Sequence, residues 1–508
     1  MPEDIVRYRK WLLENAQRDC TQQKEETAEY IWRATQSVVI RNQEIRSFSP
    51  FNDELSALRT FLPWQVIALL GILLLVGGGI VFMADVTFLI LSSVLASIPM
   101  LYHLTLFILS SSNLLWSAEI KIDDEIVHAL ADAPWPTYTI LCPLYREATV
   151  ARQLVHGLQK LDYPTDKLQI LILLEEDDHE TREAFEQIAL PAHFFLTLLP
   201  PGKPRTKPRS CNYGLLNATG EYIVIYDAED MPDPLQLKKA VLAFADCASD
   251  VVCIQAKLNF YNSHQNLLTH WFTSEYSARY DLTLPALQKA NLTIPLGGTS
   301  NHFRTVILRK LGAWDIYNVT EDCDLGIRLA HSHFKTAIVD STTYEEANSQ
   351  LNNWVRQRSR WLKGFMQTYL VYMRNPWQYV LQGRWREFLS LQFLLLTNVV
   401  GSVANPFLWL LLSCSLLFYV ALGDHLFMLT SIISAIGIFV SSIVSMFLAF
   451  IGCMKRRQYD LLKWIFLHPL YLFLIGWAGL IAGYQLVFRP HYWEKTNHGK
   501  VLYEDQPH

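Results

Sequence analysis

Long apolar runs bracket a polar middle in this 508-residue chain, and they constrain the fold more than any other feature. Trp64–Phe82 and Val86–Leu109 contain no Asp, Glu, Lys or Arg, and Asp85 marks the short turn between them. At about 1.5 Å of helical rise per residue, each can cross a hydrocarbon core of about 30 Å. Phe388–Leu422, Leu426–Cys453 and Leu461–Phe488 are apolar again. Such lengths fit lipid better than the core helices of a soluble protein, as does a hydrophobic content of 51%.

Basic residues orient the runs. Arg41, Arg46 and Arg59 precede the first pair, so the positive-inside rule predicts a cytosolic N-terminus, and a hairpin returns the chain to that side. Lys455, Arg456 and Arg457 place the loop after the fourth run inside as well. The tail Arg489–His508, with Arg489, Lys495 and Lys500, also reads as cytosolic, although a full last crossing would strand it outside. Two resolutions stay open. Pro469, Gly476, Gly479 and Gly483 can divide the last run into a span and an interfacial helix. Alternatively, Gly401, Asn405 and Pro406 divide Phe388–Leu422, with its first half on the membrane surface or in a hairpin arm.

The expected organisation is a cytosolic helical extension over 1–60, a transmembrane hairpin over 61–112, a soluble domain over 117–385, membrane and interfacial helices over 386–488, and a cytosolic tail over 489–508. The polar start argues against a cleavable signal peptide. The expected location is the plasma (inner) membrane, multi-pass, with the soluble domain cytoplasmic. A formal net charge of −5 gives no argument for a nucleic-acid partner. The eight cysteines are scattered without a CxxC pair, so they read as reduced, mostly buried thiols.

Between the membrane runs, β-branched stretches alternate with helical ones. Thr137–Pro143, Leu168–Leu174, His193–Leu199, Glu221–Tyr226 and Val251–Leu258 read as strands, and Val150–Lys160 and Pro234–Phe244 as helices. The pattern predicts a mostly parallel, doubly wound α/β sheet with ligands at the carboxyl ends of its strands. Acidic clusters fall at those ends. Glu175, Glu176, Asp177 and Asp178 follow one strand, and Asp227, Glu229 and Asp230 follow another. One such cluster alone is as readily a solvated loop. Two on one sheet suit a divalent cation on a diphosphate, since Mg²⁺ or Mn²⁺ prefers carboxylate oxygens and water. The step Asp227-Ala228-Glu229 can set two carboxylates around one ion, with Asp230 as a helper. Between the clusters, the basic, proline-stiffened Lys203–Arg209 with Lys207, followed by Asn212, suits phosphate contacts.

With these residues in place, the chain resembles the membrane-integrated family 2 glycosyltransferases of the GT-A fold, a group with cellulose synthase catalytic subunits and hyaluronan synthases. In wording it is most similar to bacterial exopolysaccharide synthases like phage-adsorption protein B. The resemblance covers roughly Thr137 to Thr368 and the flanking membrane runs. Cys142-Pro-Leu-Tyr-Arg-Glu147 looks like the strand and loop that hold the nucleotide base, implying donor contacts by Pro143, Tyr145 and Glu147. Glu175 and Asp177 stand where the family has its second nucleotide-binding acid, and Asp227–Asp230 matches its DxD metal motif with Glu229 as the second acid. Gly297-Gly-Thr-Ser-Asn301 resembles the acceptor-side loop, implying Gly298, Thr299 and Ser300. Thr320-Glu-Asp322 matches the TED motif, whose final acid is the general base, and Gln357-Arg-Ser-Arg-Trp361 is an intact QxxRW. A PilZ-like cyclic-di-GMP domain does not follow the last apolar run.

The implied reaction is a single displacement at the anomeric carbon with nucleoside diphosphate leaving. Asp322 would take the acceptor proton, its pKa raised by Glu321 beside it. A plain reading of Asp322 as a helix-start charge competes with this. Mg²⁺ or Mn²⁺ at Asp227 and Glu229 would steady the diphosphate, with Gln357 beside the donor and Arg360 gripping it bidentately. Trp361 offers a flat face for an acceptor sugar, although Trp354–Lys363 also reads as an amphipathic interfacial helix. Inversion implies a β-linked polysaccharide grown from a nucleotide sugar, UDP-glucose by default, then UDP-N-acetylhexosamine or GDP-mannose. It would thread through the adjacent helices past Asn398, Asn405 and Trp409, a path compatible with export partner subunits. Two alternatives stand beside it: transfer of one sugar to a polyprenyl phosphate, and an inactive membrane receptor or export scaffold.

Overall fold

The computed structural model describes residues 3–16, 39–41, 44–46, 54–115 and 117–493. Most of the N-terminal extension and the tail after Trp493 lie outside the described residues. The soluble part is built on an eight-stranded sheet. Its strands are β1 (Tyr138–Leu144), β2 (Leu168–Glu175), β3 (Phe194–Leu199), β4 (Tyr222–Ile225), β5 (Met231–Pro232), β6 (Val251–Phe260), β7 (Asn301–Arg304) and β8 (Lys335–Glu345). Every strand read from the sequence forms. Strands β5, β7 and β8 are additional, and their polar residues (Asn301, His302 and Arg304 in β7) hide the apolar signal that marks a buried strand.

Across the sheet the order is β3-β2-β1-β4-β7-β6-β8-β5. Strands β3, β2, β1 and β4 run parallel, as do β6 and β8, whereas β7 is antiparallel to both of its neighbours. The side-chain alternation of a strand sends Ile140 and Cys142 into one core and Leu141 into another, and both faces are covered. The carboxyl ends of β1, β2 and β4 therefore open on one edge of the sheet. The helix Glu3–Ala16 adds Ile5, Tyr8 and Leu12 to the first core, and Asn15 Nδ2 donates to Glu221 Oε1 at 3.0 Å. The described start of the extension is thus docked on the catalytic domain.

Five helices among the described residues are long and apolar enough to cross a membrane: Pro63–Phe82, Ala84–Leu114, Trp385–Leu422, His425–Lys455 and Tyr459–Phe488. Pro406 lies inside a continuous helix, Thr397–Leu422, so the residues expected to divide that run do not break it. The last segment divides into a 3₁₀ stretch, Tyr459–Leu467, and the helix His468–Phe488. Both ends of that final helix touch the soluble domain. Near its start, the Arg358 guanidinium donates to the Tyr471 hydroxyl at 2.8 Å. Just beyond its end, Lys363 Nζ donates to Tyr492 O at 2.8 Å and Gln367 Nε2 to Pro490 O at 3.0 Å.

Arg358, Lys363 and Gln367 all belong to the helix Leu351–Tyr372, which carries the QxxRW residues. The same helix clasps the loop that precedes Glu321. Arg360 Nη1 donates to Val319 O at 3.1 Å, Val319 N to Gln367 Oε1 at 3.2 Å, and Asn318 Nδ2 to Thr368 Oγ1 at 2.9 Å. Gly364 permits this approach, because a Cβ there would stand 2.6 Å from Thr320 Cγ2. Overpacking of that kind costs about 1–3 kcal/mol. Gly364→Ala is therefore expected to lower the unfolding temperature of the purified protein and to cut its activity. Gly77→Ala, where nothing lies within 4 Å, is expected to change neither.

Candidate active site

The turn after β4 is braced from within. Asp230 is fully buried; its Oδ2 accepts from Asp227 N at 2.7 Å and from the Thr299 hydroxyl, which also donates to Ile225 O at 2.9 Å. Burial, then the charges of Asp227 and Glu229, push the Asp230 carboxyl well above the usual range. Asp230 therefore pins the turn from within and does not border the cavity lined by its neighbours, a structural place in contrast to the helper role expected of it. Asp227 and Glu229, by contrast, line a cavity of about 490 Å³.

Lys207 opens the helix Lys207–Asn217 and reaches into the same cavity. Its ammonium forms an ion pair with Asp227 and donates to Gly298 O at 2.7 Å. Burial opposes its charge, but Asp227 and then Glu321 hold its pKa above the ordinary lysine value.

Glu321 and Asp322 form the first turn of the helix Glu321–His331, and Asp322 Oδ1 accepts from Cys323 N at 2.7 Å. Burial, then the Asp322 charge, pushes Glu321 up to about 8. Burial also raises Asp322, while the Cys323 N–H, Lys207 and Arg360 pull it down. The elevation foreseen from like-charge repulsion thus has desolvation as its larger cause. Arg360 lines the cavity with its guanidinium 4.6 Å from the Trp493 ring centre.

At the donor side, Pro143, Tyr145 and Glu147 line the cavity after β1. The acids after β2 divide their work. Glu175 accepts from Arg209 Nη1 at 2.9 and 3.0 Å in a buried pair, and still borders the cavity. Asp177 stands at the exposed rim in an ion pair with Arg205 Nη1 at 2.6 Å. Asp178 caps the helix His179–Glu186 by accepting from Thr181 N. Of the residues expected at the acceptor, Gly298, Thr299 and Trp361 line the cavity, as does Gln357, expected beside the donor, and Trp361 lies 6.4 Å from Tyr276 in a stacked arrangement.

Several expected contacts fall elsewhere. Asn212 is fully buried and exchanges hydrogen bonds with the Trp314 backbone at 2.9 and 3.1 Å, so it fastens a loop rather than facing the cavity. Ser300 is also fully buried, with φ +57° and its hydroxyl on Thr343 Oγ1 at 2.6 Å. Trp409 is 40% exposed on the outer face of its helix and leaves the inner path to Asn398 and Asn405, which do line the cavity. Residues that sequence reasoning passed over include Arg279, Tyr276, Glu345 and Trp493, all of which line it. Glu345 ends β8, so the rule that found Asp227 would have found it had that strand been read. Arg279 opens a π-helical turn, Arg279–Thr283, which carries no sequence mark.

The donor set suits a hard divalent ion: Asp227 and Glu229 both bring carboxylates to the lining of the cavity. Among the described residues no group of three acid, histidine or cysteine side chains converges on one point, so water and ligand oxygens would complete the shell of such an ion.

Residues 136–364 match the model of a family described as glycosyltransferase like family 2. The probable glycosyltransferase YdaM of Bacillus subtilis is 26% identical over 45% of this chain and 55% of its own. The cellulose synthase 1 catalytic subunit (UDP-forming) of Komagataeibacter xylinus is 26% identical over 47% of this chain and 32% of its own. Glucomannan 4-beta-mannosyltransferase 1 of Oryza sativa subsp. japonica is 24% identical over 46% of each chain. The matches thus span about half of these relatives or less. Among solved structures, a mannosyltransferase from Pyrobaculum calidifontis in complex with GDP-Man and Mn²⁺ aligns with 78% of this chain and 98% of its own, at 17% identity and a TM-score of 0.47. With strand-end acids, the TED and QxxRW residues and the matched domain in agreement, residues 136–364 form a glycosyltransferase domain of the family 2 type, similar to that of the cellulose synthases, of GT-A fold and flanked by helices long and apolar enough to cross a membrane.

Proposed function

We propose that the protein transfers hexosyl units, with inversion, from a UDP-sugar to a growing β-linked polysaccharide and passes the product into the membrane. One observation carries this reading. Asp227, Asp322, Arg360 and Trp361 border a single cavity that continues past His103, Asn398, Asn405, Ser441 and His468 between the membrane helices. Asn405 Oδ1, Ser441 Oγ and His468 Nε2 are buried there without hydrogen-bond partners among the described residues. Polar atoms left so in an apolar layer suit a hydroxyl-rich guest.

In this mechanism Tyr145 and Glu147 hold the nucleotide, while the Arg205–Asp177 pair closes its rim. Asp227 and Glu229 hold Mg²⁺ or Mn²⁺, which when bound supplies positive charge to the leaving diphosphate. Arg360 and Lys207 provide cations on the same side. Asp322 takes the proton of the acceptor hydroxyl as its oxygen bonds to the anomeric carbon, and the nucleoside diphosphate departs with the electron pair of the broken C–O bond. Trp361 and Tyr276 present the apolar face on which the acceptor ring rests. The soluble domain then lies in the cytosol, where nucleotide sugars are made. The contacts at both ends of His468–Phe488 favour an interfacial course for that helix, leaving four crossings and a plasma-membrane protein with both termini inside.

Asp322→Asn removes the base and leaves the donor pocket intact. Transfer of radiolabelled sugar should fall by about 10²–10⁴-fold, while nucleotide affinity stays near wild type; elongation at the wild-type rate would show the base to be elsewhere. Product sizing belongs with this assay, since one sugar on lipid as the only product would sink polymerisation.

The acid pair also sets a pH profile. Burial raises both groups and the Asp322 charge raises Glu321 further, so the pair titrates together and must lose its proton before Asp322 can act. The rate should climb with pH towards about 8, the region of Glu321. In Glu321→Gln the acid limb should move to lower pH, because a neighbouring negative charge is gone. An unchanged limb would separate the pair from the rate.

Chelation provides the third check. EDTA should abolish turnover and added Mg²⁺ or Mn²⁺ restore it, whereas full activity in chelator would remove the cation from the reaction.

A further inference from the structure

We infer that Lys207 holds the cation's place at Asp227 until a nucleoside diphosphate arrives, so that the metal enters with the donor rather than ahead of it. The inference rests on the reading of Asp227 and Glu229 as metal ligands and adds an order of events to it.

The ammonium of Lys207 is already seated where positive charge is needed. It pairs with Asp227 Oδ1 and is fixed by a second bond to Gly298 O at 2.7 Å. The side chain is 16% exposed, against 32% for Asp227, so the pair is only partly screened by water. A Cβ built on Gly298 would lie 3.9 Å from this ammonium and 3.4 Å from Asp322 Oδ2, so the cation and the Asp322 carboxylate flank the same glycine.

A divalent ion cannot coordinate Asp227 beside that ammonium without strong repulsion in a cleft of low dielectric. Ejecting Lys207 for a bare ion is a poor exchange. The ion would gain a carboxylate pair and water, because no third acid, histidine or cysteine converges there among the described residues. The lysine would lose its ion pair with Asp227. A diphosphate reverses the balance: its oxygens complete the shell of the metal and accept the displaced ammonium, for which phosphate is a ready partner. Lys207 therefore swings from Asp227 to the donor as the metal takes its place.

The test counts Mn²⁺ binding by loss of the free-ion EPR signal, on the purified full chain, alone and with UDP or GDP. Wild type should bind Mn²⁺ alone weakly and about tenfold or more tightly with the matching diphosphate. Lys207→Met should bind Mn²⁺ alone about tenfold more tightly than wild type and lose most of the gain from diphosphate. Lys207→Arg, which keeps the charge, should behave as wild type. Two results overturn the inference: a folded Lys207→Met protein with unchanged affinity for Mn²⁺ alone, or wild type that binds Mn²⁺ equally well with and without diphosphate. The second arm needs no variant, so it decides the matter even if Lys207→Met fails to fold. An Asp227→Asn protein that keeps wild-type Mn²⁺–diphosphate binding would instead refute the underlying metal-site reading.

Discussion

Opposite charges confined in a cleft that water only partly reaches are the constraint on which the rest of this structure depends. Asp227, Glu321 and Asp322 come from separate strand and helix ends, and alone they would repel one another at high cost. Lys207 and Arg360 stand among them, the first on Asp227 and the second held against the backbone of Val319. Burial, then the Asp322 charge, raises Glu321 to about 8 against the pull of Lys207 and Arg360, while Asp227 and Glu321 keep the lysine charged despite burial. A site poised in this way is organised before any ligand arrives, which is where electrostatic stabilisation of a leaving diphosphate gains most.

The same chain must hold this cleft against a bilayer, and two struts do so. One is the helix Leu351–Tyr372, which grips the Asn318–Thr320 loop on one face and the final apolar helix on the other. The second is a buried ion network. Lys257 of β6 meets Glu119 Oε2 at 2.6 Å, Asp340 Oδ1 at 2.7 Å and Asp281 Oδ1 at 3.1 Å. Lys455, at the end of a membrane helix, meets Glu119 Oε1 at 3.2 Å, and Arg456 binds Asp281. Loss of one partner from such a network leaves a buried charge unmatched, so the sheet and the helix move together or not at all.

Much of the site was legible because strand ends are legible. An apolar, β-branched run followed by acids states both where a strand stops and which edge of the sheet its carboxylates occupy, and Asp227, Glu175 and Glu229 were found that way. Glu345 was missed because β8 begins with lysine and ends in a hydroxyl-rich stretch, which masks its burial. Asn212 and Ser300 were misplaced for a different reason. Their motifs sit beside the cavity, but a buried amide or hydroxyl goes first to the nearest unsatisfied backbone group or hydroxyl, here those of Trp314 and Thr343.

The sequence by itself determined the layers: apolar runs long enough for lipid, a mostly parallel sheet between them, and acids at its carboxyl edge. These follow from periodicity and length, which are local properties. Only the tertiary structure decided which acids are buried side by side, which lysine stands on Asp227, and that the final helix touches the soluble domain at both ends. Those outcomes depend on distances between residues remote in the chain, and Coulomb and desolvation energies in a low-dielectric cleft change steeply over such distances.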